Sequence, residues 1–148
     1  MSFEQIEVSV AAGIATVMLN RPDALNAITP TMLGELNQAY DELAANSDVH
    51  VLVLTGAGRA FSAGVDLKAL GDRELTGGSG GDILDIPARR MTDKLANGRL
   101  ITIAKANGFC FTGARELALA CDLLLTAEKA KLAGTCLFYT TPHPRDSA

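Results

Sequence analysis

His50-Val51-Leu52-Val53-Leu54 runs directly into Thr55-Gly56-Ala57-Gly58. Four consecutive aliphatic residues place apolar side chains on both parities of an extended chain. A strand buried on both faces has that pattern, as in a parallel sheet covered by helices. The Thr-Gly-Ala-Gly that follows leads into a loop. Parallel neighbours need crossover connections, so helices are expected on either side in sequence.

Working outward, the N-terminal side supplies a hairpin and a helix. Residues 6–20 alternate and then run apolar around Ala11-Ala12-Gly13, which predicts a β-hairpin with Ile14-Ala15-Thr16-Val17-Met18-Leu19 as its more buried strand. Asn20-Arg21-Pro22-Asp23 ends that strand. Thr29-Pro30 opens a helix, because Thr is a good N-cap and Pro suits the first helical position. Leu33, Leu36, Tyr40 and Leu43 fall at helical spacing and give it one apolar face. On the C-terminal side, residues 76–81 form a Gly/Ser tract expected to be a flexible surface loop, and residues 85–100 read as a helix carrying Ile86, Arg89, Arg90, Met91 and Leu95. Residues 100–106 are strand-like, residues 114–120 helical, and Leu123-Leu124-Leu125 a further strand. This alternation predicts an α/β fold. Nothing suggests a second domain or an internal repeat of fixed length.

Composition removes several functional classes. The 148 residues are 48% hydrophobic and 20% charged, enough for a real core, which the absence of Trp makes aliphatic. A net charge of −4, a pI near 5.1 and scattered Lys and Arg argue against a nucleic-acid partner. Cys110, Cys121 and Cys136 have no CxxC spacing, and Cys110 and Cys121 sit in apolar runs, so reduced, buried thiols are expected. His50 and His143 lie far from each other and from any acidic cluster, so no metal site is expected. The N-terminus lacks a signal-peptide pattern and no apolar run is long enough to span a bilayer, which reads as a soluble, cytoplasmic protein with no membrane partner.

Glycines after strands let backbone approach a ligand and aim free N–H groups at it. Gly56-Ala57-Gly58 is not a dinucleotide fingerprint, because the third glycine would fall at Phe61. There is no G-x-x-x-x-G-K-[ST] and no G-x-S-x-G. Gly113 stands immediately before a helix with Glu116 in its first turn. A helix N-terminus suits a developing negative charge, and Glu116 places a carboxylate beside it. Glu116 equally fits a purely electrostatic role at that helix end.

Three ordered motifs carry a resemblance. They are Arg21-Pro22-Asp23-Ala24-Leu25-Asn26-Ala27, Gly58-Arg59-Ala60-Phe61-Ser62-Ala63-Gly64-Val65-Asp66-Leu67-Lys68, and the stretch from Asn107-Gly108-Phe109 through Glu116-Leu117-Ala118-Leu119-Ala120-Cys121-Asp122. Over residues 4 to about 130 the chain resembles the crotonase superfamily of enoyl-CoA hydratase/isomerase-like enzymes. The resemblance implies an α/β spiral of repeated ββα units and assembly into homo-trimers or hexamers where the fold is complete. It implies an acyl-CoA thioester substrate, with coenzyme A part of that substrate and no further cofactor. The thioester oxygen would lie between the backbone amides of Val65 and Gly113, an oxyanion hole, while Ala24, Ala63, Asp66 and Leu67 match positions lining the path of the CoA moiety. Glu116 matches the family's first catalytic glutamate, a proton carrier at the carbons next to the thioester carbonyl.

The chain also departs from the pattern. The second glutamate of the hydratases would fall at Cys136. Residues 136–148 resemble nothing in the family, whose members continue through a Gly-rich loop and several helices. The expected organisation is therefore a crotonase-like core over residues 1–135, incomplete at its C-terminal part, and a divergent tail over 136–148. Arg115 stands where the family prefers a small or apolar residue, and Asn97-Gly98-Arg99 where a Pro-containing approach to the strand is usual. Arg115 lies about 100° around the helix from Glu116 and need not pair with it. Two functions remain open: an enoyl-CoA hydratase/isomerase-type enzyme, with isomerisation as plausible as hydration, and a truncated, inactive remnant that at most binds acyl-CoA. A peptidase of the same fold lacks a Ser-His pair at the matching turns.

Overall fold

A computed structural model of the protein describes residues 2–69 and 82–134, with no side-chain detail for 82–85. The hairpin forms as expected: β1 (Ile6–Ala11) pairs antiparallel with β2 (Ile14–Leu19), Ile6 opposite Leu19. Ala12 and Gly13 make its turn, both with positive φ. A short 3-10 turn at Pro22–Ala24 leads to α1 (Pro30–Ala45), whose Thr29 hydroxyl accepts the Met32 N–H at 3.0 Å. That cap is worth about 1 kcal/mol. Met32, Leu33, Leu36, Tyr40 and Leu43 bury one face of the helix.

The remaining elements come in a regular order. β3 (Val51–Gly56), β4 (Ala60–Ser62) and α2 (Asp82–Asn97) are followed by β5 (Ile101–Ala106), β6 (Phe109–Phe111) and α3 (Gly113–Ala120), then β7 (Leu123–Thr126) and β8 (Lys131–Ala133). With β1, β2 and α1 this is the ββα unit three times, followed by a further ββ pair. The first strands of the later units extend one five-stranded sheet, β1-β2-β3-β5-β7, parallel from β2 onward. Their second strands build another, β4-β6-β8, wholly parallel. The spiral of ββα units is thus present. The repeat is hard to see in sequence because its length changes: β3 and β5 begin at Val51 and Ile101, β7 already at Leu123.

The aliphatic core lies between the larger sheet and α1 and α2. Leu19, Leu52, Leu54 and Ala104 of the sheet meet Leu33, Leu36 and Leu43 of α1 and Met91 and Leu95 of α2. Each large side chain removed from water contributes roughly 1.5–3 kcal/mol. The expectation that β3 is buried on both faces is corrected. Leu52 and Leu54 are fully buried, but Val51, Val53 and Thr55 are only half-buried, because helices cover one face of the sheet. On the other face Ile14, Ile101 and Leu123 are about half exposed.

Arg99, in the Asn97-Gly98-Arg99 segment that stands where a Pro-containing approach is usual, acts at the C-terminal end of α1. Its guanidinium donates to the carbonyls of Ala44 at 2.9 Å, Asn46 at 2.9 Å and Val49 at 3.0 Å. A cation bonded to the last carbonyls of a helix satisfies groups that have no intrahelical partner and complements the dipole. The Gly/Ser tract at 76–81 lies outside the described residues, as does everything from 135 onward, including Cys136 and the tail.

Candidate active site

Two turns leave the carboxyl ends of neighbouring parallel strands. β4 and β6 pair at Ala60–Phe109 and Ser62–Cys110, with an irregularity between Ala60 and Ser62 that leaves the fully buried Phe61 as a bulge. β4 runs into Ala63-Gly64-Val65-Asp66 and β6 into Thr112-Gly113. Crevices beyond the carboxyl ends of parallel strands are where such sheets bind ligands. The turns touch. A Cβ added to Gly113 would meet Val65 Cγ2 at 3.5 Å, and one added to Gly64 would overlap Thr112 Oγ1 and come within 2.9 Å of the Phe111 carbonyl.

The hydrogen bonds of the first turn single out one amide. The Ala63 N–H donates to Leu25 O at 2.9 Å, the Gly64 N–H to Ser62 Oγ at 3.1 Å and the Asp66 N–H to Ile28 O at 2.8 Å. The Ile28 N–H in turn donates to Gly64 O at 2.8 Å, completing a parallel bridge between Ile28 and Val65. In such a bridge the N–H of the central residue points away from its partner. Among the described residues the Val65 N–H has no acceptor.

The second turn presents a helix start. Gly113 is the first residue of α3 rather than the residue before it. The Arg115 and Glu116 N–H groups both donate to Thr112 O, while those of Gly113 and Ala114 have no acceptor among the described residues. The strained residue here is Thr112, at φ 49° and ψ −122°, not the glycine beside it. A threonine held there costs about 1–3 kcal/mol and is tolerated where surrounding packing over-determines it. Its N–H donates to Ala133 O at 3.0 Å, which ties the turn to β8.

Glu116 stands one helical turn after Gly113, on the same face. Its side chain is exposed and has no hydrogen-bond partner among the described residues. Arg115 is also exposed and lies beside Gly134, where an added Cβ would be 2.7 Å from its Nη1. No ion pair joins Arg115 to Glu116 among the described residues, consistent with their separation around the helix. Ala24 and Ala63 are half-buried on the turns flanking Val65, and Leu67 is 75% exposed just beyond it.

Two residues that motif reading quoted without a role hold the turn in place. Asn26 is fully buried in left-handed backbone, φ 54°. Its Oδ1 accepts the Arg21 N–H at 2.9 Å, and its Nδ2 donates to Ala57 O at 2.8 Å and Ala60 O at 2.9 Å. Arg21 Nη1 donates to Ala27 O at 2.7 Å and to Asp66 Oδ2 at 3.0 Å. Burial alone would raise the Asp66 carboxyl, but hydrogen bonds from Arg21 and from the Ala69 and Lys68 amides, with the guanidinium charge, bring it below its ordinary value of 3.8. The sequence signal was an Arg and an Asn five residues apart in one motif and an Asp after the glycine of another.

Repeated ββα units that bring two turns into contact beyond the carboxyl ends of neighbouring parallel strands define a protein of the crotonase fold class. The chain belongs to the enoyl-CoA hydratase/isomerase family, whose model matches residues 9–140. It is 38% identical over 133 residues to a hydroxycinnamoyl-CoA hydratase-lyase of Pseudomonas fluorescens, covering 86% of this chain and 47% of the relative. Among solved structures it resembles an enoyl-CoA hydratase/isomerase from Xanthobacter autotrophicus Py2, with 36% identity and a TM-score of 0.78 over 90% of this chain and 49% of that one. It also resembles an enoyl-CoA hydratase/carnithine racemase from Magnetospirillum magneticum, with 30% identity and a TM-score of 0.83 over 96% and 53%. The chain spans about half the length of the curated relatives it matches. No helix among the described residues is long and apolar enough to cross a membrane.

Proposed function

We propose that the chain carries the thioester-activating part of an acyl-CoA enzyme of the hydratase/isomerase type. The amides of Val65 and Gly113 form the oxyanion hole, and Glu116 moves the proton at the carbon next to the thioester carbonyl. The observation that carries this reading is the amide pattern: three of four consecutive N–H groups, at residues 63, 64 and 66, are used within the protein, and that of Val65 is left beside the open start of α3. Preorganised donors aimed where charge develops lower the barrier to enolate formation, and loss of one costs ~10²–10³ in rate. The backbones of Ala24, Ala63 and Asp66 and the exposed Leu67 line the approach of the CoA moiety, which enters as part of the substrate. A core over residues 1–135, a separate tail over 136–148, a trimeric or hexameric assembly of the complete fold and a cytoplasmic setting belong to the same proposal.

Glu116→Gln tests it. Turnover of an enoyl-CoA is expected to vanish while acyl-CoA binding persists, and retained turnover removes Glu116 from the mechanism. One observation favours a second reading, an inactive remnant that at most binds acyl-CoA: Glu116 is exposed to solvent, whereas a catalytic carboxylate works best shielded from water. Size-exclusion with and without acyl-CoA separates the two. A discrete trimer-sized, active species supports the enzyme, and a soluble aggregate without turnover supports the remnant.

A further inference from the structure

Peptide groups couple the Arg21 guanidinium to the Val65 amide. Arg21 Nη1 donates to the carbonyl of Ala27 at 2.7 Å. That carbonyl shares its peptide unit with the Ile28 N–H, which donates to the carbonyl of Gly64 at 2.8 Å. The Gly64 carbonyl shares its peptide unit with the Val65 N–H. The sequence of links is therefore guanidinium, peptide 27–28, peptide 64–65, and then the free N–H. Hydrogen bonds in a chain polarise one another, strengthening each by roughly 10–30%. A cation at the accepting end of the first peptide pulls electron density toward itself and leaves the last N–H a better donor.

We propose that Arg21 is a positioning and polarising residue of the site, acting on the thioester oxygen through this two-peptide chain. The inference rests on the oxyanion reading of Val65. Two features give the chain its fixed geometry. The Asp66 carboxylate holds the same Nη1 at 3.0 Å, and the Asp66 N–H bonds Ile28 O on the other side of the bridge. The Asn26 side chain holds the Arg21 backbone at 2.9 Å. Arg21 and Asp66 are both largely shielded, at 26% and 14% side-chain exposure, so the charge is only partly screened by water. Arg21 reaches the reacting atoms through the backbone of Val65 and needs no contact of its own with them.

The test reads carbonyl polarisation rather than turnover. But-2-enoyl-CoA carrying ¹³C at the thioester carbonyl is bound to the full chain, and its stretching frequency is measured by isotope-edited infrared spectroscopy. Wild-type protein is expected to lower that frequency. Arg21→Gln, which removes the charge and, being two bonds shorter, also withdraws the donor from Ala27 O, is expected to lose most of the shift. Arg21→Lys, which keeps the charge, is expected to retain most of it. Where turnover is measurable, Arg21→Gln lowers kcat roughly tenfold with KM changed less than twofold, a fraction of the loss expected for deleting a whole oxyanion donor. A wild-type shift that Arg21→Gln leaves intact overturns the inference while leaving the oxyanion reading standing. Wild-type protein that binds the thioester without any shift removes the oxyanion reading, and this inference with it. Should the glutamine variant fail to fold, the lysine variant decides: folded protein that has lost the shift overturns the role of charge.

Discussion

Gly64→Ala probes the contact between the two turns most directly. Gly64 has φ +95°, and a Cβ built on it would overlap Thr112 Oγ1, lie 2.9 Å from the Phe111 carbonyl and 3.2 Å from Thr112 Cβ. A left-handed backbone costs an alanine about 1–2 kcal/mol. Forcing a methyl group into a packed site costs about 1–3 kcal/mol more. Together they give a loss of roughly 2–5 kcal/mol, a large share of the ~5–15 kcal/mol that stabilises a typical domain. At about 3 °C per kcal/mol for a chain of this size, thermal unfolding followed by circular dichroism should shift down by roughly 6–15 °C. Thr112→Gly has the opposite sign, because it relaxes a positive-φ threonine and removes the hydroxyl that the new methyl would strike. In the double variant it should recover about half of the loss, since the Phe111 carbonyl and the φ of residue 64 remain. Residues in contact give coupling of about 0.5–3 kcal/mol in such a cycle. A Gly64→Ala variant within ~0.5 kcal/mol of wild type, or strictly additive effects, would refute the packing of one turn on the other.

Three further outcomes follow from the same contacts. Asn26→Ala strands the Arg21 N–H and the carbonyls of Ala57 and Ala60 in a buried site, so chemical denaturation should report a loss of about 3 kcal/mol or more, several times that of a surface Asn→Ala. The Asp66 carboxyl has a folded pKa below 3.8, so the stability it contributes is fully present above 3.8 and is lost as pH falls through the lower folded value. Asp66→Asn should therefore destabilise the protein at neutral pH and flatten the fall in stability below about pH 4; unchanged acid unfolding would exclude the Arg21–Asp66 pair as its source. Burial pushes the Cys110 thiol up to about 11 against the nearby charge of Arg115, and pushes Cys121 up to about 11 with Asp122 adding to the rise and Thr102 opposing it. Cys110 is fully buried, whereas Cys121, expected to be buried, is only partly so. Both should react with iodoacetamide at pH 8 more slowly than a free thiol, read by peptide mass mapping, and rapid labelling of Cys110 in folded protein would contradict its burial.

The long elements were legible because burial writes itself into composition. Leu33, Leu36, Tyr40 and Leu43 can share a face only in a helix, and the β-branched Val51–Leu54 run marks a strand, although only Leu52 and Leu54 of it are fully buried. The three-residue strands β4, β6 and β8 were not legible, since Ala60–Ser62 or Lys131–Ala133 is too short to show alternation. They pair only because β3, β5 and β7 already stand side by side in the other sheet. The site was legible in part. Val65, Gly113 and Glu116 came from family motifs, whereas the roles of Arg21 and Asn26 are contacts across 45 and 34 residues that no local pattern encodes. Thr112 shows the limit of residue type as a guide to backbone: a threonine, which disfavours positive φ, takes it at the turn before Gly113.

Strand order follows chain order in both sheets, β1-β2-β3-β5-β7 in one and β4-β6-β8 in the other. Each ββα unit therefore lands on a pair of edges its predecessor has just finished, and no strand has to be threaded between two others. A chain emerging N-terminus first from the ribosome could build this architecture in the order of synthesis, with every completed layer serving as template for the next. The same geometry lets a connection such as the one between β4 and α2 change length without disturbing earlier layers. Among the described residues β7 and β8 form the edge on which a further layer would be laid.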